Sequence, residues 1–404
     1  MKKINFYKYN RIFGTIAGLF AFFVFSLTVE PTASYWDCAE YISTSAKLQI
    51  GHPPGAPLFQ MLGAIFSILA FDVTQIAYAV NMMSVTSSAL TIMFLFWSIS
   101  LIAKEILKVK EIVKVSEAIK IFGSSFLGSI TFTFTDSFWY NAVEAEVYAM
   151  ATLILAILFW LGLKWVDDFG KARSDKWLIL ISFVVGLSFG VHFMGLLAIP
   201  AIVMSYYFKN QNKILEFISF KFLLLFLLAL TLIFGILFIF ILNLGYIFYF
   251  FFGLIFWPFV IMIYYYYSEL ESMLKPVLGF LVANIIGVGI LMGIFKLILP
   301  STLSLFGNFE VFFVNDLGLP FNSGTIFSAL LLISIFYYGI TYTSKKKLYW
   351  LNTTILCLTF VFVGFSSWLM LPIRSNANTV INENAPTDAR LLLAYYNLEQ
   401  YPDT

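Results

Sequence analysis

Long apolar runs recur along the whole chain and restrict it to folds that cross a lipid bilayer. A helix needs about 20 consecutive apolar residues to span the hydrocarbon core of a membrane. The chain is 61% hydrophobic and only 11% charged, whereas soluble domains are about a quarter charged. The sequence therefore predicts an all-α, polytopic membrane protein with about 11 transmembrane helices, which cover residues 11–29, 79–103, 121–137, 148–166, 177–193, 195–208, 218–242, 246–267, 276–298, 326–343 and 348–371.

The basic residues of this chain concentrate in every second loop between the predicted spans. Lysine and arginine mark the cytoplasmic loops of membrane proteins. Here they cluster at 104–120, 164–176, 209–213, 275 and 345–347. The pattern predicts a cytoplasmic N-terminus and a C-terminal tail on the outer side. The first span is expected to stay uncleaved, because no small-residue cleavage site precedes the acidic motif.

Residues 57–71 are apolar but only fifteen long, and a crossing there would break the alternation of basic loops. This segment is therefore predicted to be a half-length or interfacial helix. The first external loop then extends over residues 30–78 and contains juxtamembrane helices. A further polar outer loop is expected at residues 299–325.

Three ionisable side chains lie close together in this first loop. Asp37, Glu40 and His52 fall within sixteen residues of a chain that has only two histidines. Asp37 and Glu40 are three residues apart, so they share a face if this segment is a helix. Ionisable groups near a membrane are costly and often functional. The simpler alternative is a surface helix capped by Ser34, followed by a structural turn at residues 51–57.

The second predicted outer connection is rich in carboxylates and aromatic rings. Glu144 and Glu146 lie there beside Trp139, Tyr140 and Tyr148. Aromatic side chains favour the membrane interface, and their flat faces also stack on sugar rings. The pattern predicts either a solvated interfacial loop or a surface that binds a sugar.

Two cationic candidates complete the predicted outer face. His192 lies at the end of the fifth predicted span, and Arg374 is the first strong base after the last one. Because the arginine fork suits a phosphate group, both side chains, together with His52, are candidate phosphate contacts. A packed histidine and an arginine that snorkels to the interface are the simpler alternatives.

Five short motifs follow one another along the chain. They are Trp-Asp-Cys-Ala-Glu-Tyr at 36–41, Gly-His-Pro-Pro-Gly-Ala-Pro-Leu at 51–58, Glu-x-Glu-x-Tyr at 144–148, Gly-Val-His-Phe at 190–193, and Arg-Ser-Asn with Ile-Asn-Glu-Asn at 374–384. This set extends over essentially the whole chain. It resembles the protein O-mannosyltransferase-like membrane family of the GT-C glycosyltransferase superfamily.

The resemblance implies a GT-C-like transmembrane domain at residues 1–373 and an external tail, 374–404, that is the start of a truncated soluble region. It implies a lipid-linked sugar donor, with mannose on a polyprenyl phosphate, and a hydroxyl acceptor on an exported protein. Membrane lipid is a further expected partner, and nucleic acid is not. No cofactor is required, although a divalent metal is permitted.

The resemblance maps the catalytic base onto Asp37 and the second acidic motif of the family onto Glu144 and Glu146. Glu40, which shares a helix face with Asp37, is expected to be a further catalytic carboxylate. Substrate binding is expected from Trp36, His52, Glu144, Glu146, Tyr148, His192 and Arg374.

Two other classes of function stay open at this point. The chain could be a transporter or flippase of lipid-linked sugars, although such proteins place polar groups or broken helices at the membrane midplane. It could also be a non-catalytic scaffold of an envelope or secretion complex. For the enzyme, the expected location is a bacterial inner membrane with the site on the periplasmic side.

Overall fold

A computed structural model of the protein describes residues 3–171, 173–211, 276, 277 and 279–402. Helices make up most of this part of the chain. They include α1 Phe6–Ser26, α2 Cys38–Lys47, α3 Pro57–Ser67, α4 Ile76–Ile106, α5 Val115–Thr133, α6 Asp136–Ala142, α7 Val147–Asp167, α8 Lys176–Ser188, α9 Ala198–Lys209, α10 Leu299–Val311, α11 Ser323–Lys345, α12 Tyr349–Phe365, α13 Met370–Ser375 and α14 Ala389–Tyr396.

Six described helical segments are long and apolar enough to cross a membrane, namely Phe6–Ser26, Val73–Ile106, Val147–Asp167, Gly279–Asp316, Ser323–Lys345 and Tyr349–Ser375. The prediction of an all-α membrane protein is confirmed, but the predicted number of 11 spans is not supported. The predicted spans at 177–193 and 195–208 correspond to shorter apolar helices, Lys176–Ser188 and Phe193–Lys209. Those at 218–242 and 246–267 lie outside the described residues.

The prediction of an outer loop at 299–325 is wrong for most of its length. Residues Leu299–Val311 form α10, and Phe312–Asp316 continue it as a π-helical turn. Pro300 closely follows the π-helical turn Gly293–Ile298 inside the continuous helical segment Gly279–Asp316, and such local π adjustments let a membrane helix accommodate a proline. The proline and the polar residues around it therefore do not end the helix.

A small two-stranded sheet joins the N-terminus to the loop after α4. Strand β1 (Lys3–Asn5) pairs antiparallel with β2 (Ile112–Lys114), with Lys3 opposite Lys114. Both strands must lie on one side of the membrane, so the chain crosses an even number of times between them. Helices α1 and α4 account for two crossings. The pairing therefore agrees with the prediction that the short helix α3 does not cross.

Helix α4 is the centre of the N-terminal bundle and packs against α1, α5 and α7. Aromatic side chains fill the space between α1, α4 and α5, and Phe6, Phe25 and Phe96 are fully buried there. At the end near the strands, Lys104 of α4 donates to the Tyr7 hydroxyl at 2.9 Å and pairs with Asp167 of α7 at 2.5 Å. These contacts fix three helices to one another at the end opposite the loop that contains Asp37.

Helices α8 and α12 approach each other closely enough to exclude side chains at the crossing. A Cβ atom added to Gly186 would overlap the carbonyl oxygen of Val361, and one added to Gly364 would overlap that of Phe183. Reciprocal glycines allow such backbone contact between membrane helices. The crossing fixes α12 to α8, and the chain continues from α12 towards its C-terminus.

The chain divides into two compact units. One consists of Met1–Ala198 with Leu291–Thr404, and the other of Ile199–Ile290. Every candidate site residue belongs to the first unit. The predicted domain boundary at residues 373 and 374 stays a prediction.

Candidate active site

The loop between α1 and α2 places Asp37 directly before the first residue of α2. Helix α2 begins at Cys38 with Asp37 at the N-cap position, and the structure gives the Asp37 side chain no capping hydrogen bond. The prediction that Ser34 caps this helix is wrong, because its hydroxyl donates to Glu144 at 2.5 Å instead. The Asp37 side chain is 54% exposed, so its carboxylate is open to a substrate.

His52 connects the two acidic residues of the first loop. Its Nδ1 lies 3.1 and 3.0 Å from the two carboxylate oxygens of Glu40, and its Nε2 lies 3.8 Å from the Asp37 carboxylate. The backbone N–H of His52 also donates to Glu40 at 2.6 Å. Glu40 therefore fixes both the backbone and the ring of His52, with the far nitrogen directed towards Asp37.

The contact between Glu40 and His52 shifts both pKa values. The hydrogen bond to Glu40 raises the pKa of His52 above its ordinary 6.5. Burial would raise the pKa of Glu40, but the hydrogen bonds from His52 outweigh it and hold that pKa below its ordinary 4.5.

These two shifts stabilise the fold over a defined pH range. The raised histidine pKa contributes stability that is complete below pH 6.5 and is lost as the pH rises through the folded-state value. The lowered glutamate pKa contributes stability that is complete above pH 4.5 and is lost as the pH falls through its folded-state value. The pair therefore stabilises the fold most between pH 4.5 and 6.5.

Two buried carboxylates hold the Asp37 loop from the other side. Glu144 and Glu146 are 4% and 6% exposed. Glu144 accepts hydrogen bonds from Ser34 and from the Cys38 thiol, and Glu146 accepts from the backbone N–H of Asp37. The solvated-loop alternative for these residues is therefore wrong.

The burial of Glu144 and Glu146 also shifts the pKa values of these two carboxylates and of the neighbouring Cys38 thiol. Desolvation raises the pKa values of Glu144 and Glu146. Burial, together with these neighbouring carboxylates and Asp37, raises the pKa of Cys38 to about 12. Cys38 therefore stays a neutral thiol that donates a hydrogen bond, and it is not a nucleophile.

The aromatic candidates differ in how far they are exposed. Trp36 is 86% exposed and adopts a φ of 60°, a left-handed conformation that is uncommon outside glycine. Tyr148 is 47% exposed, and its ring centroid lies 5.4 Å from that of His192. An exposed indole next to Asp37 and an exposed phenol over His192 both offer faces on which a sugar could stack.

His192 caps a short helical turn. Its Nδ1 accepts a hydrogen bond from the backbone N–H of Met194 at 3.1 Å. The proton of the neutral ring must therefore be on Nε2, which can donate to a ligand. The neighbouring Gly190 carbonyl accepts hydrogen bonds from Leu58 and Phe59 at 2.7 and 3.2 Å, so the His192 loop is tied to the start of α3.

Arg374 is committed to the backbone at the end of α2. Its Nε donates to the Leu48 carbonyl at 2.6 Å and its Nη2 to the Lys47 carbonyl at 3.1 Å. Its binding to a phosphate stays a prediction, and such a contact would rest on the remaining Nη1 donors.

Asn81 supports the site but is absent from the residues predicted from the sequence. Its side-chain amide donates to the carbonyls of Glu30 and Thr32 at 2.6 and 2.8 Å, and it is 1% exposed. It therefore anchors α4 to the segment that leads to Asp37. An amide within a long apolar run is costly, and that signal was present in the sequence.

Asp37, Glu40 and His52 each have a ligating atom within 4.8 Å of the others. Both oxygens of Glu40, however, already face Nδ1 of His52. Glu40 and His52 are thus hydrogen-bonded to each other, whereas the 3.8 Å between His52 Nε2 and Asp37 is an ionic contact. The same three side chains are also close enough to hold a metal ion. The expectation that no cofactor is required stays a prediction.

The helical fold and the exposed carboxylate beside a histidine define the class as a multi-pass membrane protein with a polar site at one end of its bundle. Residues 37–215 match the family model described as Protein O-mannosyl-transferase TMEM260 N-terminal domain. This segment includes Asp37, Glu40, His52, Glu146 and His192. The predicted resemblance to the protein O-mannosyltransferase-like family is thereby confirmed.

Two curated relatives support the same family. Protein O-mannosyl-transferase tmem260 of Dictyostelium discoideum is 24% identical over 189 residues, which are 44% of this chain and 21% of that protein. Protein O-mannosyl-transferase TMEM260 of Mus musculus is 24% identical over 165 residues, which are 41% of this chain and 21% of that protein. The chain thus matches about a fifth of the length of these relatives. No solved structure matches it.

Proposed function

We propose that this protein is a membrane glycosyltransferase that transfers a sugar, mannose, from a polyprenyl phosphate to hydroxyl groups of exported proteins. The observation that carries the proposal is the exposed Asp37 carboxylate, which faces His52 while the backbone N–H of Asp37 donates to the buried Glu146. The names of the curated relatives supply the reaction class. The alternation of basic loops supports a site on the outer side of the membrane, which we assign to the periplasmic face of a bacterial inner membrane.

The proposed reaction is a single displacement with inversion at the anomeric carbon. Asp37 takes the proton of the acceptor hydroxyl while the oxygen of that hydroxyl forms a bond to C1 of the sugar. The bond between C1 and the phosphate oxygen breaks at the same time, and polyprenyl phosphate departs with both electrons. A single general base is sufficient for this chemistry, and it accelerates such a step by about 10²–10⁴-fold.

The other site residues would prepare this step without a covalent role. Glu40 orients His52, whose Nε2 faces the Asp37 carboxylate at 3.8 Å. His52 and His192 can also donate to the leaving phosphate, whose growing charge needs such donors. Trp36 and Tyr148 are placed to contact the sugar or the acceptor.

The decisive experiment supplies purified protein with polyprenyl-phosphate mannose and a panel of secreted acceptor domains. We expect mannose on serine or threonine hydroxyls, no transfer from a nucleotide sugar, and full activity after treatment with a chelator. If folded protein binds the donor but transfers sugar to none of the acceptors, the proposed enzymatic function is refuted. Lipid-linked sugar movement across proteoliposomes would then favour the flippase, and unaltered growth of cells with Asp37→Asn would favour the scaffold.

A further inference from the structure

The turn that contains His52 is held from behind by residues 374–401, here called the C-terminal segment. The first attachment is at the end of α2, where Arg374 donates to the carbonyls of Lys47 and Leu48. Leu48 is the C-cap of α2 and has a left-handed φ of 47°. The guanidinium thus satisfies carbonyls that a helix end leaves without partners, and its charge complements the helix dipole.

The second attachment is a short parallel bridge between Ile50 and Asn382. The Ile50 N–H donates to the Ile381 carbonyl at 3.0 Å, and the Glu383 N–H donates to the Ile50 carbonyl at 3.2 Å. The Gln49 side chain accepts from the Ile381 N–H at 2.7 Å. These bonds fix the backbone immediately before the histidine turn.

The third attachment consists of two tyrosine hydroxyls on either side of His52. Tyr395 donates to the Gly51 carbonyl at 2.5 Å, and Tyr401 donates to the Pro53 carbonyl at 3.4 Å. Tyr395 is 1% exposed, so its hydroxyl and the Gly51 carbonyl are shielded from water. A buried carbonyl that loses its hydrogen-bond donor lowers the free energy of unfolding. The Tyr395 contact therefore stabilises the turn more than the Tyr401 contact does.

The front of the turn has equally little room. A Cβ atom added to Gly51 would lie 2.5 Å from an oxygen of Glu40, the same carboxylate that binds the ring and N–H of His52. The turn is therefore enclosed between Glu40 in front and Tyr395 behind. A shift of the Gly51 carbonyl must move the backbone of His52 relative to Glu40.

We infer that Tyr395 is a positioning residue of the site: its hydroxyl holds the Gly51 carbonyl so that the His52 ring stays between Glu40 and Asp37. The kinetic part of this inference rests on the proposed glycosyltransferase function. The structural part does not, because the position of the His52 ring can be observed directly.

The test compares Tyr395→Phe with Tyr396→Phe. Both variants remove one buried hydroxyl from α14 and keep the ring. The Tyr396 hydroxyl, however, donates to the Phe295 carbonyl at 2.7 Å, on a different element from the histidine turn. Tyr396→Phe is therefore a matched control for the loss of stability alone.

The readout is the ¹⁵N NMR spectrum of protein labelled at histidine, in which only His52 and His192 give signals. We expect Tyr395→Phe to shift the His52 ring nitrogens and leave those of His192 in place, whereas Tyr396→Phe shifts neither. In the transfer assay, kcat of Tyr395→Phe should fall by about 10–100-fold, since small misplacements of reacting groups have effects up to about 10². KM for the acceptor should stay the same.

His52 signals and kcat that match those of Tyr396→Phe would overturn the inference. If wild-type protein transfers no sugar, the proposed function fails, yet the NMR comparison still decides the positioning role. If Tyr395→Phe does not fold, Arg374→Lys replaces it. That variant should move the same His52 signals, and unchanged signals would count against the C-terminal segment as a whole.

Discussion

Replacing Asp37 with asparagine tests the catalytic assignment most directly, because the substitution keeps the shape of the side chain and removes its charge. The structure predicts a large effect on turnover. Loss of a general base lowers kcat by about 10²–10⁴-fold, which corresponds to about 2.7–5.5 kcal/mol of activation free energy. Substrate affinity should change little, because the groups expected to bind the sugar and phosphate are retained.

The effect of Asp37→Asn on stability should be much smaller. The Asp37 side chain is 54% exposed and lies 3.8 Å from its ionic partner His52, and exposed ion pairs contribute up to about 1 kcal/mol. The described structure also gives this side chain no hydrogen bond as a helix cap. The free energy of unfolding should therefore fall by less than about 1 kcal/mol, well below the expected change in activation free energy.

The assay measures sugar transfer and thermal melting on one preparation of each variant in detergent or nanodiscs. Asp136→Asn is the matched control, because Asp136 is an exposed aspartate in the first turn of the nearby helix α6 and has no proposed role. We expect the control to keep both activity and Tm. An Asp37→Asn protein that folds and retains wild-type turnover would refute the general-base assignment.

Three further predictions concern stability and topology. The difference in Tm between wild type and His52→Gln should be greatest between pH 4.5 and 6.5 and should shrink above and below that range. A difference that does not depend on pH would contradict the ion pair between His52 and Glu40. Gly186→Ala should lower the free energy of unfolding by about 1–3 kcal/mol through overpacking. Gly123→Ala should not, because a Cβ atom added to Gly123 has no neighbour within 4 Å. Equal Tm values for both variants would count against the close helix crossing. A cysteine that replaces Val380 should react with an impermeant reagent in intact cells, whereas one that replaces Lys110 should react only after permeabilisation. Labelling at position 110 from outside the cell would overturn the predicted topology.

Local patterns in the sequence predicted the features that depend on neighbouring residues. The apolar runs gave the membrane class, and the short run at 57–71 corresponds to the eleven-residue helix Pro57–Ser67. The proximity of Asp37, Glu40 and His52 also followed from their spacing, because a helix and a tight turn join them.

Contacts between distant segments could not be predicted in this way. Ser34 finds Glu144 across 110 residues, and Arg374 finds Leu48 across 326. Neither pairing leaves a periodic signal, because each depends on how helices pack rather than on local conformation. The strands β1 and β2 contain only three residues each, too few for an alternating pattern. Ser34 fits the pattern of a helix cap because it lies just before α2, whereas no neighbouring residue in the sequence indicates its actual partner, Glu144.

The attachment of the C-terminal segment to the histidine turn also bears on when the protein becomes competent during its synthesis. Tyr395 follows Gly51 by 344 residues, and ribosomes add about 5–20 residues per second. The turn must therefore wait roughly 20–70 s after its own synthesis before the hydroxyl that holds it exists. During that interval the growing chain contains Asp37, Glu40 and His52 but lacks the contact that orders them. Maturation of the site is thus a late event of biogenesis, separate from insertion of the first helices into the bilayer.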